Sequence, residues 1–171
     1  MSTAMQYFSR LSAEDRFALD DMYQAYTATL DERRFEDWPS FFTDDALYRI
    51  VPRENHELNL PIALMHCEGR LMMNDRVVAL REAVMARPRA MRRFVTPARI
   101  VGGDGSAGNP LQLRANLLVV ETLHDSLSQL VLSGVYHDTV LRSNEGMGWR
   151  LSERLCIYDS LLLPDSLVEP V

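Results

Sequence analysis

The stretch LQLRANLLVVETL, residues 111–123, decides the fold. The apolar residues that recur at every second position are Leu111, Leu113, Ala115, Leu117 and Val119. This period is typical of a β-strand with one buried face. Turn residues at 124–126 separate this strand from a second predicted strand, 129–141. Turn residues at 144–148 separate the second strand from a third, 149–163. Three long strands joined by short turns predict an antiparallel meander.

The first half of the chain has helical periodicity instead. Ser12 and Asp15 resemble a capping box, and apolar residues then follow at three- and four-residue steps up to Asp31, which predicts a helix over residues 12–31. A shorter helix is expected over 35–42 and a third over 72–87. Residues 47–51, which are partly β-branched and aromatic, predict a short strand.

Three segments connect these elements. Residues 53–69 are polar and lack a clear period, so we expect a long excursion or lid there. Residues 93–101 predict a strand in which Pro97 indicates an edge or a bulge. The glycine-rich residues 102–110 predict a turn.

The order of these elements predicts an α+β fold, because helices precede an antiparallel sheet instead of alternating with strands. Long strands twist and curve, so we expect a long, curved, mainly antiparallel sheet with about three helices over its concave side. Such a cone encloses a cavity, and the sequence leaves open whether side chains or a substrate fill it.

Length and composition set the limits of this hypothesis. A chain of 171 residues with 25% charged residues fits one globular domain spanning 1–171. All 18 basic residues are Arg, and the net charge of −6 argues against nucleic acid or an anionic membrane as a partner. Residues 1–10 do not resemble a signal peptide and Cys67 and Cys156 form no CxxC pair, so we expect a cytoplasmic protein.

Metal and nucleotide motifs are not found in the sequence. The histidines His56, His66, His124 and His137 have no i, i+4 partner, and neither cysteine is followed closely by a histidine as a Rieske motif requires. His56 and His66 with Glu57 or Glu68 have the residue types of a mononuclear iron site, but we favour surface or lid histidines. The glycines of 102–108 fit no phosphate-binding pattern.

Acid–base chemistry inside the cone is the catalytic alternative. A stand-alone isomerase or dehydratase would use a histidine and an aspartate in an apolar cavity. The candidate residues are Asp31, Tyr26, Tyr48, His66, and His137 with Asp138. We favour structural roles for each: a cap for Asp31, core positions for the tyrosines and the outer sheet face for His137. A third hypothesis is a module that binds a small ligand.

For two segments the sequence does not decide whether they contact a partner chain. Arg87, Arg89, Arg92 and Arg93 surround Pro88, which fits either a solvated loop or an interface between subunits. The apolar C-terminal stretch 158–171 needs a cover, either its own sheet or another chain.

Several motifs, in order, resemble the small (β) subunit of aromatic-ring-hydroxylating dioxygenases. They are Asp31 to Arg49 (DERRFEDWPSFFTDDALYR), Pro52 to Asn55, Met73 to Val77, Gly134 to Asp138, Trp149 to Arg154, and Leu155 to Ser160 followed by Pro164 to Ser166. The closing motif, Leu155 to Ser160 with Pro164 to Ser166 after it, is most similar to subunits of enzymes that act on carboxylated aromatics, such as salicylate 5-hydroxylase and terephthalate dioxygenase. One departure is Arg92-Arg93-Phe94, where the family usually has an Arg-His pair.

The resemblance implies a cystatin-like, NTF2-like cone and a non-catalytic role, with no catalytic, cofactor-binding or metal-binding residue on this chain. It implies a large (α) partner subunit that carries the Rieske [2Fe-2S] cluster and a mononuclear Fe(II), in an α3β3 assembly supplied with electrons by a ferredoxin or reductase. The oxygenase would hydroxylate a carboxylated aromatic ring with dioxygen and electrons from NAD(P)H. The sheet and the arginine-rich segment would contact neighbouring chains.

Overall fold

The computed structural model describes residues 11–82, 89–143, 148–164 and 167–171. Seven strands and four helical elements occur within these residues. In chain order they are α1 (Ala13–Asp31), a 3-10 helix (Phe35–Phe41), β1 (Phe42–Pro52), α2 (Arg53–Glu57), β2 (Met65–Glu68), α3 (Gly69–Glu82), β3 (Arg89–Val95), β4 (Arg99–Gly103), β5 (Leu111–Leu123), β6 (Gln129–Arg142) and β7 (Trp149–Tyr158).

The predicted meander is confirmed and forms the centre of the sheet. The strand order is β2-β1-β7-β6-β5-β3, and β4 also pairs with β5. All pairs are antiparallel except β1 and β7, which are parallel. On β5 the residues predicted to be buried are buried, and their neighbours from Gln112 to Leu118 are exposed. One face of the sheet therefore packs against the helices, as the strand period requires.

Three helical elements cover this face, as expected. The Ser12 hydroxyl accepts a hydrogen bond from the Asp15 backbone N–H at 3.0 Å and so caps α1. The buried face of α1 consists of Leu19, Met22, Tyr23, Tyr26, Thr29 and Leu30. The 3-10 helix adds Trp38, and α3 adds Met73 and Val77, to the same hydrophobic core. The described helices include none that is long and apolar enough to cross a membrane.

The prediction of a single strand over 93–101 is wrong. Two strands, β3 and β4, pair with β5 and are separated at Thr96–Ala98, because Pro97 has no backbone N–H for a ladder hydrogen bond. The β3 strand also begins four residues earlier, at Arg89. The glycine-rich turn after β4 is present, and Gly103 adopts a φ of +77° there.

The segment 53–69 is more regular than the predicted lid. It contains the short helix α2 and the edge strand β2, which pairs with β1 from Leu47↔Glu68 to Ile50↔Met65. Strand β1 begins at Phe42, before the predicted Leu47, and β7 ends at Tyr158, before the predicted residue 163. The third helix is described only to Glu82. The rest of its predicted span, including Arg87, and turn residues 144–147 lie outside the described residues.

Candidate functional site

An ion pair between Asp138 of β6 and Arg154 of β7 lies at the centre of the cone. The two residues are direct neighbours in the sheet and both side chains are fully buried. Arg154 Nε donates to Asp138 Oδ1 at 2.9 Å and Nη2 donates to Oδ2 at 2.6 Å. The Tyr23 hydroxyl of α1 donates to the same Oδ2. This bidentate geometry with an added donor is what a buried carboxylate needs.

Tyrosine rings enclose the guanidinium of this pair. The Arg154 guanidinium carbon lies 4.1 Å from the ring centre of Tyr26, 4.0 Å from that of Tyr136 and 5.2 Å from that of Tyr23. Cation–π contacts strengthen when they are removed from water, as here. Burial and then the charge of Asp138 hold the pKa of Tyr23 well above its usual value. Tyr23 therefore stays protonated and acts as a hydrogen-bond donor.

The last described residues of the chain complete the filling of the cone. We call Leu167–Val171 the anchor segment; Val171 within it is fully buried. The hydroxyls of Tyr26 and Tyr48 each donate to the Val171 backbone oxygen at 3.0 Å, and the Val171 N–H donates to Tyr48 Oη at 2.9 Å. Trp38 Nε1 donates to Tyr26 Oη at 3.0 Å. The anchor segment thus folds back onto its own chain, one of the two expected alternatives for the C-terminal stretch, whereas Leu161 and Leu162 of that stretch are exposed.

From Arg89 onward the arginine-rich segment forms strand β3 and is not a solvated loop. Alternation along β3 directs Arg89 and Arg93 into the cone, where the side chain of Arg93 is fully buried and that of Arg89 is 9% exposed. Arg93 pairs with Asp31 at 2.7 Å, and Arg89 pairs with Glu121 at 2.9 Å. These two arginines bind acids of their own chain, and the contact of the arginine-rich segment with a neighbouring subunit stays a prediction. The side chain of Arg92 lies on the opposite, exposed face.

The favoured interpretation of His137 is confirmed, since it lies on the outer face of the sheet and forms no pair with Asp138. Adjacent strand residues point to opposite faces of a sheet. Asp138 therefore points into the cone, whereas His137 lies on the outer face with its ring centre 5.8 Å from that of His56 in α2. Burial, followed by the charge of Arg114, lowers the pKa of His137.

The other candidates fall into two groups. Tyr26 and Tyr48 are fully buried in the core, with their hydroxyls engaged by Val171. Asp31 lies at the end of α1 and binds the Arg93 side chain and backbone N–H instead of capping a turn. His66 is exposed on the edge strand β2, 3.0 Å from Glu68. The structure therefore brings no predicted histidine into the cone.

A half-open cleft of about 780 Å³ lies between α1 and the sheet. Its lining includes Tyr23, Arg93, Phe94, Leu118, Gly134 and Asp159. It touches the Asp138–Arg154 pair only through Tyr23, because neither member of the pair lines the cleft. The sequence left open whether side chains or a substrate fill the cone. Side chains fill its centre, and a cleft remains beside them.

The residues of this chain do not fit an iron–sulfur cluster. Cys67 and Cys156 are both buried and free. Their neighbours His66 and His137 do not share their face, since His66 is exposed and His137 lies on the outer face. Burial raises the pKa of the Cys156 thiol to about 12. No group of three potential metal ligands converges within the described residues.

Sequence reasoning did not single out two of the residues that form the site, Arg154 and Glu169. Arg154 lies at a position of β7 whose cross-strand neighbour is Asp138. The available signal was a pair of opposite charges at inward positions of two neighbouring strands. This signal indicates an ion pair only when the register between the two strands is known. Glu169 lies in a segment without periodicity, and no local pattern indicates its burial.

Comparisons with known proteins agree on one family. The SnoaL-like domain matches residues 11–155. The small subunit of anthranilate 1,2-dioxygenase from Burkholderia cepacia is 34% identical over 156 residues, covering 91% of this chain and 93% of that protein. Subunit beta 1 of the terminal oxygenase component of terephthalate 1,2-dioxygenase from a Comamonas species is 29% identical, covering 86% and 92%.

Solved structures give the same result. A protein assigned as the beta subunit of an aromatic-ring-hydroxylating dioxygenase from Novosphingobium aromaticivorans is 35% identical, with a TM-score of 0.78 over 92% of this chain and 97% of that chain. A protein with a cystatin-like fold from Nostoc punctiforme is 19% identical with a TM-score of 0.64, over 91% and 98%. The second likeness concerns the fold alone, and it confirms the expected fold class.

Proposed function

Since this chain belongs to the SnoaL-like domain family and, within it, to the small subunits of aromatic-ring-hydroxylating dioxygenases, we propose that it is a non-catalytic structural subunit of a Rieske oxygenase. No residue of the chain is assigned a catalytic, cofactor-binding or metal-binding role. The chain would instead hold its large partner subunits in a fixed arrangement.

The observation that carries this proposal is the filled centre of the cone. A cavity carboxylate that acts as a general acid or base needs access to substrate. Asp138 is instead bound by Arg154 and Tyr23 and has no exposed surface. The tyrosines beside it are engaged with the anchor segment. This arrangement supports a structural role over an isomerase or dehydratase that uses this cavity.

Family membership supports a proposal for the cofactors and partners. The Rieske [2Fe-2S] cluster and the mononuclear Fe(II) would lie on the large subunit, which would receive electrons from a ferredoxin or reductase. We propose an α3β3 assembly. The curated relatives are named for anthranilate and terephthalate, both of which carry a carboxylate on an aromatic ring. A carboxylated aromatic is therefore the proposed substrate class of the assembled enzyme.

We further propose that residues 1–171 form one domain in the cytoplasm. The single sheet and its main core involve described elements from α1 to the anchor segment, which supports one domain. The free, buried cysteines fit a reducing compartment.

Turnover by the assembled oxygenase tests the structural role. Tyr23→Phe removes the hydroxyl that donates to Asp138. Tyr158→Phe, the same change at another buried tyrosine, is the matched control. A structural subunit predicts that kcat of the assembled complex changes less than about twofold for both variants. A loss of about 100-fold or more in Tyr23→Phe alone, the size typical of a lost acid–base group, would overturn the proposal.

A further inference from the structure

The carboxylate of Glu169 is the most unusual feature of the anchor segment. Its side chain is 2% exposed, although it lies in a segment that is neither helix nor strand. A carboxylate is costly to bury unless positive charges and hydrogen bonds compensate for the lost water. The contacts around Glu169 provide this compensation.

Three arginines surround Glu169, and we call them the arginine trio. Arg33 Nη1 lies 2.8 Å from Oε1, Arg89 Nε lies 3.5 Å from Oε1, and Arg93 Nη2 lies 3.8 Å from Oε2. Arg33 follows α1, whereas Arg89 and Arg93 belong to β3. The site is therefore built by two separate elements that converge on one carboxylate.

The charges of this site balance only when the anchor segment is bound. Apart from Glu169, the acids paired with the trio are Asp31 and Glu121. Three positive charges thus meet two negative ones, and Glu169 supplies the third. Without it, a net positive charge would remain at a site where the Arg93 side chain is fully buried and that of Arg89 is only 9% exposed.

Backbone contacts on both sides of Glu169 hold the rest of the segment. Arg76 Nη2 donates to the Val168 oxygen at 2.9 Å, and Arg93 Nη2 donates to the Pro170 oxygen at 2.7 Å. Together with the tyrosine contacts to Val171, these bonds hold a short peptide with one acidic side chain. Leu167, Val171 and the buried Pro170 give that peptide an apolar character.

We propose that the arginine trio is a carboxylate-binding site whose resident ligand is the chain's own Glu169, and that the anchor segment is a tethered, exchangeable peptide that keeps the cone closed. The ligand class is a carboxylate on a short apolar body. This inference concerns the chain by itself and does not depend on the proposed assembly.

Cleavage of the folded chain tests the exchange. A specific protease site is placed at 161–164, where Leu161 and Leu162 are exposed, and the full chain is cut after folding. A labelled peptide Leu-Val-Glu-Pro-Val is then added and its fluorescence anisotropy is measured. The peptide should bind about tenfold or more tightly than its Gln analogue, because only the carboxylate forms a charge-assisted bond with Arg33 and neutralises the charge of Arg89 and Arg93. Equal affinity of the two peptides, or no binding to a cut chain that stays folded, would overturn the proposal.

Chemical rescue in the uncut chain gives a second test, which decides the question if the cut chain unfolds. Glu169→Ala leaves the trio without its carboxylate, and acetate is the probe that replaces it. At ten times its Kd, acetate should raise the Tm of this variant by about 3 to 6 °C relative to chloride at equal ionic strength. Glu153→Ala, which removes a partly exposed partner of Arg49, is the control and should show no such rise. The same response in both variants would refute the carboxylate site.

Discussion

The buried Asp138–Arg154 pair gives the sharpest prediction about stability. Asp138→Asn keeps the size of the side chain but removes its charge, which leaves the guanidinium of Arg154 buried without a counterion. Breaking a buried pair in this way costs about 3–5 kcal/mol. For a chain of this length, about 2–4 °C of Tm accompany each kcal/mol, so Tm should fall by roughly 6–20 °C.

Urea unfolding followed by the fluorescence of Trp38 and Trp149, which are both buried, measures this loss. Asp159→Asn is the matched control, because Asp159 pairs with Arg53 where both side chains are about half exposed. The control should lose less than about 1 kcal/mol, as exposed pairs contribute little. Equal losses in the two variants would refute the reasoning that burial makes the central pair important.

Three further predictions concern other parts of the chain. A hydrogen bond from Arg142 lowers the pKa of Asp15 to about 2, from an ordinary 3.8, so this ion pair stabilises the fold above about pH 4 and its contribution is lost as pH falls towards 2. Asp15→Asn should therefore lower stability by about 1 kcal/mol at pH 7 and by almost nothing at pH 2, measured by urea unfolding at each pH. Both cysteine thiols should be inert to a thiol reagent at pH 8 until the chain is denatured, because they are buried and the pKa of Cys156 is about 12. Gly134→Ala should cost more than about 2 kcal/mol in urea unfolding, since the new Cβ would lie 2.3 Å from the Ile157 carbonyl oxygen.

For each of these three predictions, one experimental result would contradict the reasoning. A stability difference between Asp15→Asn and the parent that is the same at pH 2 and pH 7 would exclude the ion pair as its cause. Rapid labelling of a thiol in the folded chain would show that the sheet opens there. Ser133→Ala, at the neighbouring position, controls for Gly134→Ala, and an equal effect of the two changes would contradict the close approach of β6 and β7.

The meander and the first helix could be predicted from sequence because their signals are local. The alternation from Leu111 to Val119 specifies both a strand and its buried face. Ser12 marks the start of α1, and the three- and four-residue spacing from Leu19 to Leu30 marks its buried face. Each signal lies within the element that it describes.

The contents of the cone could not be predicted, because they depend on contacts between distant residues. Glu169 meets Arg93 across 76 positions of the chain, and Tyr23 meets Asp138 across 115. The sequence left Arg89 outside the predicted strand, because the start of β3 was predicted four residues late, at Arg93. An arginine pattern by itself does not distinguish a partner chain from an acid on the same chain.

The single most direct test of the structural-subunit account is co-expression of this chain with its large oxygenase subunit, followed by native mass measurement and iron and sulfide analysis of the separated chains. The account predicts a co-purifying complex with equal numbers of the two chains, in which iron and sulfide remain with the large chain. A stable chain that does not bind the large subunit, or iron that remains with the small chain after separation, would contradict it.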